Sequence, residues 1–135
     1  MESLTVAAKL ESLDTVAGFV VNLLEKLGCS EETRLQIQLA VEEIFVNITS
    51  YAYHPKDGDA EIRCDVLEEP LRVVIQILDS GVPFDPLAKE EADTSEEALM
   101  EREGGLGILL VCSTMDHVSY SYENGKNILT ILKTL

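Results

Sequence analysis

Three groups of residues in this 135-residue chain have types and spacings suited to chemistry. Glu43 and Asn47 are four apart in a helical stretch, so a carboxylate and an amide lie one turn from each other on one face. An amide oxygen is a hard ligand that suits Mg²⁺, an ion that keeps most of its waters and takes few protein ligands. A carboxylate one turn away can take a proton from a hydroxyl or from water. Asp79 ends an apolar run, and Gly81 comes two residues later. A carboxylate at a strand end can accept from an exocyclic amine such as that of adenine, and a glycine lets backbone come close to a planar ligand. Gly105, Leu106 and Gly107 open an apolar helical stretch, where free N–H groups and the helix dipole attract phosphate. Arg102, just before them in an acidic stretch, can reach a terminal phosphate or a carboxylate on a partner.

Taken singly, each group also has a purely structural reading. Glu43 and Asn47 can be a polar helix edge with a satisfied amide. Asp79-Ser80-Gly81 can be an ordinary turn. The glycines can be a hinge, and Arg102 a solvated surface charge. Together, in this order, the three describe a pocket for a nucleotide and its magnesium ion. The glycine run is not a P-loop, since no Gly-Lys-Ser/Thr is present, and no βαβ unit makes it a dinucleotide fingerprint.

Composition limits the partners. Apolar residues make up 46% of the chain, enough for a real core in one domain spanning residues 1–135. Ten Lys and Arg stand against 25 Asp and Glu, a formal net charge of -15. Such a surface repels nucleic acid and anionic membrane, and neither is an expected partner. It also repels ATP, so a phosphate site here needs metal, backbone N–H groups or local cations. Cys29, Cys64 and Cys112 are odd in number and widely spaced, which reads as free thiols in a reducing compartment. His54 and His117 have no ligand-spaced neighbours, which argues against a transition-metal site. The N-terminus shows no signal-peptide pattern and no apolar run reaches membrane length, so the expected location is cytoplasmic.

The elements that must position these groups can be read from periodicity. Leu4, Val6 and Ala8 alternate as a first strand. Ser12 or Asp14 caps a helix whose apolar residues recur at 3–4 spacing from Leu13 to Leu27, and Gly28 fits its end. Ser30 caps a second helix that runs to about Tyr53, where His54-Pro55 stops it. Ile62, Cys64 and Val66 alternate, and Leu71 to Leu78 is a denser apolar run, giving two antiparallel strands with the second more buried. The polar, acidic stretch over about 86–104 reads as a long loop of the kind that forms lids. Gly107 to Asp116 is a buried helix, and Val118 to Tyr122 and Ile128 to Leu132 are strands joined at Asn124-Gly125. The fold class is α+β: a two-layer sandwich whose sheet is mixed or antiparallel, with helices on one face.

The residues then resemble a known family. Ala40-Val41-Glu42-Glu43-Ile44-Phe45-Val46-Asn47, with Tyr51-Ala52-Tyr53 after it, is similar to the N box of the GHKL (histidine kinase-like) ATPase/kinase superfamily. Leu78 to Pro86 resembles its G1 box. Glu101 to Ile108 resembles its G2 box, and Met115-Asp116-His117-Val118 resembles the segment C-terminal to that box. The branch most resembled is the small bacterial anti-sigma factors that are also serine kinases, over nearly the whole chain. Tyr51 stands where many relatives have His, and Pro83 where the wider superfamily has a second glycine; neither change removes a catalytic group.

The resemblance implies a Bergerat ATP-binding fold, with ATP and Mg²⁺ as cofactors and protein serine/threonine kinase activity. It implies Asn47 as the Mg²⁺-binding residue, Glu43 as the general base and Asp79 as the adenine reader. Gly81, Gly105, Leu106 and Gly107 fall in the nucleotide-binding boxes, and the 86–104 loop becomes the ATP lid. Arg102 matches an arginine near the phosphates and the partner, and Thr130 a position on the last strand that supports the adenine end. The implied partners are a STAS-type anti-anti-sigma protein as substrate and a sigma factor as the sequestered protein, with a homodimer as the expected assembly. The alternative is a catalytically silent, ATP-binding partner-switching module.

Overall fold

A computed structural model describes residues 1–53, 57–87 and 105–135. The elements run β1 (Glu2–Ala7), a 3-10 turn (Leu10–Ser12), α1 (Leu13–Leu27), α2 (Glu31–Tyr51), β2 (Asp59–Leu67), β3 (Arg72–Asp79), α3 (Gly105–Thr114), β4 (His117–Glu123) and β5 (Lys126–Thr134). The strands form one five-stranded sheet in the order β1-β2-β3-β5-β4. All four pairings are antiparallel, which narrows the expected mixed or antiparallel sheet to the second of the two.

Local chemistry explains the boundaries. Gly28 ends α1 in the left-handed region at φ 71°, a conformation that glycine adopts without a Cβ penalty. Ser30 is extended, and its hydroxyl accepts from the Thr33 N–H at 3.2 Å, so it caps α2; Glu31 and Glu32 sit in the favourable first turn. Ser12 caps α1 differently from expectation: the preceding 3-10 turn leaves it helical, and its side chain makes no cap bond. Asn124 and Gly125 both have positive φ, 54° and 77°, the geometry that closes a two-residue hairpin between the paired Glu123 and Lys126.

Alternation decides which sheet face meets the helices. Ala60, Ile62 and Cys64 on β2, Val73, Ile75 and Ile77 on β3, and Leu129 and Ile131 on β5 are buried. They share one cluster with Val16, Val20 and Leu24 of α1, with Ile37, Val41, Ile44 and Phe45 of α2, and with Val111 of α3. The residues between them, such as Arg63, Gln76 and Thr130, point to the opposite face and are only partly covered. The core therefore lies between one sheet face and the helices. Phe45, fully buried, is its largest member; truncating such a side chain to alanine costs about 3–5 kcal/mol.

Two ends matter for the site. Helix α2 stops at Tyr51 rather than near Tyr53, and Ala52 and Tyr53 turn onto the end of β3. Helix α3 begins at Gly105, two residues earlier than the apolar pattern suggests, so all three residues of the third group lie in its first turn.

Candidate nucleotide site

The buried stripe of α2, Val41, Ile44, Phe45 and Ile48, docks the helix on the sheet. Glu43 and Asn47 fall beside that stripe and are half-buried at its edge. Among the described residues neither side chain has a hydrogen bond or an ion pair. Partly buried polar groups usually find partners within the protein, so this pair is available to a ligand.

Asp79 reaches the same place from the sheet. It ends β3 between Ala60 of β2 and Asn127 of β5, on the face that meets the helices, and is only 6% exposed. Its Oδ1 accepts from the Gly81 N–H and from Asn127 Nδ2, each at 2.9 Å. Its Oδ2 has no partner among the described residues. A cavity of about 40 Å³ opens between these elements, with Asn47, Asp79, Phe84, Tyr120, Asn127 and Leu129 in its wall. That is well below the roughly 300–1,000 Å³ of small-molecule sites, so it can take only the inner end of a ligand and its rim has to open further.

The glycines are explained by close approach. A Cβ at Gly81 would overlap the backbone carbonyl of Ala52, and the next residue, Val82, donates its N–H to that same oxygen at 3.2 Å. The glycine thus lets the turn press on the end of α2, rather than serving only an approach to a planar ligand. A Cβ at Gly107 would overlap the carboxylate of Glu43. The first and third residue groups, more than sixty positions apart in sequence, therefore touch. Gly105 and Leu106 share that first turn; Arg102, and all of the 86–104 loop beyond Leu87, lie outside the described residues.

Thr130 needs correction. It pairs with Gln76, whose Nε2 lies 3.5 Å from the Thr130 hydroxyl, and both are on the sheet face away from the helices. Strand alternation forbids it from reaching the cavity while Leu129 and Ile131 point inward. The β5 residue that does reach it is Asn127, a buried amide that the sequence pattern alone did not single out. The signal was available: stepping back by two from Ile131 and Leu129 puts position 127 on the core face, where an amide needs partners. Asn127 has four. Its Nδ2 donates to Asp79 Oδ1 and to the Val82 carbonyl, each at 2.9 Å, and its Oδ1 accepts from the Phe84 N–H at 3.1 Å and from the Tyr120 hydroxyl. Burial pushes the Tyr120 phenol above its ordinary value, so at neutral pH it is protonated and donates. Tyr53 is a second contact that the sequence did not announce: its hydroxyl donates to the Asp59 carbonyl at 2.7 Å and accepts from the Ser80 N–H at 2.6 Å.

Among the described residues no three His, Cys, Asp or Glu side chains gather to hold a metal, and no helix is long and apolar enough to cross a membrane. An amide without a partner among the described residues is still compatible with Mg²⁺, which is held by one or two protein groups together with substrate phosphates and water.

An antiparallel sheet covered on one face by helices, with a largely apolar cavity carrying a few polar groups between the second helix and the end of the third strand, defines the class: an α+β fold of the Bergerat ATP-binding type. The chain belongs to the histidine kinase-like ATPase domain family, whose model matches residues 6–133. Among curated relatives, the serine-protein kinase RsbW of Listeria monocytogenes serotype 4a is 29% identical over 108 residues, covering 77% of this chain and 68% of the relative. The serine-protein kinase RsbW of a bovine Staphylococcus aureus strain is 29% identical over 129 residues, covering 91% and 80%. Among solved structures, the SiaB-SiaC complex from Pseudomonas aeruginosa contains a chain with the same fold, at a TM-score of 0.54 and 12% identity, covering 100% of this chain and 90% of that one.

Proposed function

We propose that this chain is an ATP-dependent protein-serine kinase and anti-sigma factor acting on a STAS-type anti-anti-sigma protein. The observation that carries the reading is the pair Glu43 and Asn47, without hydrogen-bond or ion-pair partners among the described residues, set between the Asp79 cavity and the first turn of α3. The relatives named as serine-protein kinases support it.

In this reading residues 1–135 form one ATP-binding domain, with a lid over about 86–104. Asp79 offers its free Oδ2 to the adenine amine, a charged acceptor that a purine bearing a carbonyl at that position cannot satisfy. Because the cavity is small, only the base end would enter it, leaving the phosphates to Asn47 and the N–H groups of α3. Asn47 would hold Mg²⁺, which would supply charge neutralisation on the phosphates. Glu43 orients the incoming serine hydroxyl and accepts its proton. Arg102 answers the charge of the terminal phosphate or the partner's carboxylates. Sequestration of a sigma factor, assembly as a homodimer and a cytoplasmic location belong to the same reading; Cys29, Cys64 and Cys112, none of them in a disulfide, fit a reducing compartment.

The test is phosphate transfer from labelled ATP to a STAS-type anti-anti-sigma protein. Transfer by the wild-type chain, lost by at least about a hundredfold in Glu43→Ala, is the expected result. Nucleotide binding with no transfer, or a Glu43→Ala variant as active as wild type, contradicts the kinase reading and leaves a silent partner-switching module.

A further inference from the structure

We propose that β4, an edge of the sheet, is a self-complementary surface that pairs antiparallel with β4 of a second copy of this chain. The proposal rests on the homodimer of the proposed function and assigns the surface that forms it.

An edge strand presents a row of unpaired N–H and C=O groups, and natural edges that must stay free are blunted with Lys, Pro or a bulge. Strand β4 is the last strand of the sheet and reads His-Val-Ser-Tyr-Ser-Tyr-Glu over His117–Glu123, with neither Lys nor Pro. Its register with β5 runs unbroken from His117 opposite Leu132 to Glu123 opposite Lys126. The two-residue turn at Asn124-Gly125 makes Glu123 and Lys126 a hydrogen-bonded pair. By alternation Ser121, Ser119 and His117 also bond β5, so the backbone groups of Val118, Tyr120 and Tyr122 point away from the sheet. Among the described residues no hydrogen bond reaches those groups from outside the sheet.

The residues of β4 match themselves about Tyr120. A two-fold axis there sets Tyr120 opposite Tyr120 of the partner subunit, and Val118 opposite Tyr122 of the partner subunit. Ser119 then faces Ser121 of the partner subunit, and His117 faces Glu123 of the partner subunit. Every outward N–H and C=O meets an outward group, with two bonds exchanged in each such pair. The imidazole at one end can donate to the acid at the other, and the serines can bond each other. Tyr122, 45% exposed in the single chain, gains an apolar cross-strand neighbour. Shifting the register by one opposes outward groups to groups already bonded to β5, and shifting it by two takes the imidazole away from Glu123. The opposite edge, β1, has an acid at one end and an alanine at the other, so it has no such match. The axis stands perpendicular to the sheet. Both helix layers therefore lie on one face of a continuous sheet, and the two cavities, each walled by Tyr120, flank the axis.

The experiment is sedimentation equilibrium of the full chain over a concentration series, for wild type, His117→Glu, His117→Lys and Tyr122→Pro, with a thermal melt of each. A seven-residue edge is a small interface, so wild type should dimerise with a dissociation constant on the order of micromolar. His117 is exposed, and its variants should melt like wild type. His117→Glu sets like charges opposite each other twice in the dimer and should weaken it about tenfold; His117→Lys should tighten it about threefold. Tyr122→Pro removes an outward donor but no bond to β5, and should weaken the dimer at least about tenfold. Where Tyr122→Pro fails to fold, the two His117 variants decide. Effects of the same sign from those two, or none, overturn the inference and leave the homodimer to another surface. A wild-type chain that stays monomeric removes the homodimer and this inference together, and leaves the ATP site untouched.

Discussion

Glu43 and Gly107 are in contact across the space between α2 and α3: the glycine's missing side chain is filled by the glutamate's carboxylate. The proposed base and the turn proposed to face the phosphates are therefore a single packed unit. The same test applied to Gly81 gives a different neighbour, the backbone of Ala52. One glycine makes room for a movable side chain, the other for a rigid helix end.

The two glycines should accordingly fail in different ways. In Gly107→Ala the new methyl meets the far end of a flexible side chain, so the fold survives while the Glu43 carboxylate is displaced. A melting temperature within a few degrees of wild type is expected, with phosphate transfer down at least about tenfold and Mg-ATP affinity changed less. In Gly81→Ala the methyl meets backbone, and overpacking of this kind costs about 1–3 kcal/mol. Denaturant unfolding of both variants checks the contrast; equal destabilisation would contradict it.

Asp116 links the last helix to the C-terminal strand and gives a pH-dependent contribution to stability. Its Oδ2 accepts from the Thr134 N–H at 2.6 Å, and its Oδ1 lies 3.8 Å from Lys133 Nζ. The Thr134 bond, ahead of the Lys133 charge, holds its carboxyl below the ordinary 3.8. A depressed carboxylate stabilises the fold above the unfolded value, and that contribution fades as pH falls through the folded value. Asp116→Asn should therefore melt lower than wild type at pH 7, with the gap closing below about pH 4. A gap that stays constant to about pH 3 would contradict the assignment.

The thiols should differ in reactivity. Cys64 is buried on β2, and burial, aided by the charge of Glu2, pushes its thiol up to about 12, so almost no thiolate exists at pH 8. Cys112 is exposed on α3. Alkylation at pH 8 should spare Cys64 in the folded chain and reach all three cysteines only in denaturant. Peptide mapping reads this directly, and rapid labelling of Cys64 in the native chain would contradict it.

Most of the fold was legible because its local signals agree. Gly28, Ser30 and Asn124-Gly125 each sit where their backbone or capping chemistry demands. The placement of Glu43, Asn47 and Asp79 was legible because each stands at the edge or end of an apolar element, which the structure sets beside the core. What escaped was long-range. Nothing near Gly107 announces Glu43, and nothing near Asn127 announces Asp79, because antiparallel pairing of β3 with β5 creates that contact from residues 48 apart. Thr130 fits by residue type, but parity along the strand puts it on the wrong face. Helix α2 ends two residues short of Tyr53 because Ala52 keeps a helical N–H bond to Ile48 while its carbonyl accepts from Val82, and the Tyr53 hydroxyl bonds Asp59 and Ser80.

The central claim is that Asp79 and Asn47 bind the two ends of Mg-ATP. Calorimetric titration with Mg-ATP of wild type, Asp79→Asn and Asn47→Ala tests it most directly. Wild type is predicted to bind with a defined one-to-one heat. Asp79→Asn should lose at least about tenfold in affinity whether or not Mg²⁺ is present, and Asn47→Ala should lose affinity chiefly when Mg²⁺ is present. Affinities equal to wild type in both folded variants would contradict the account.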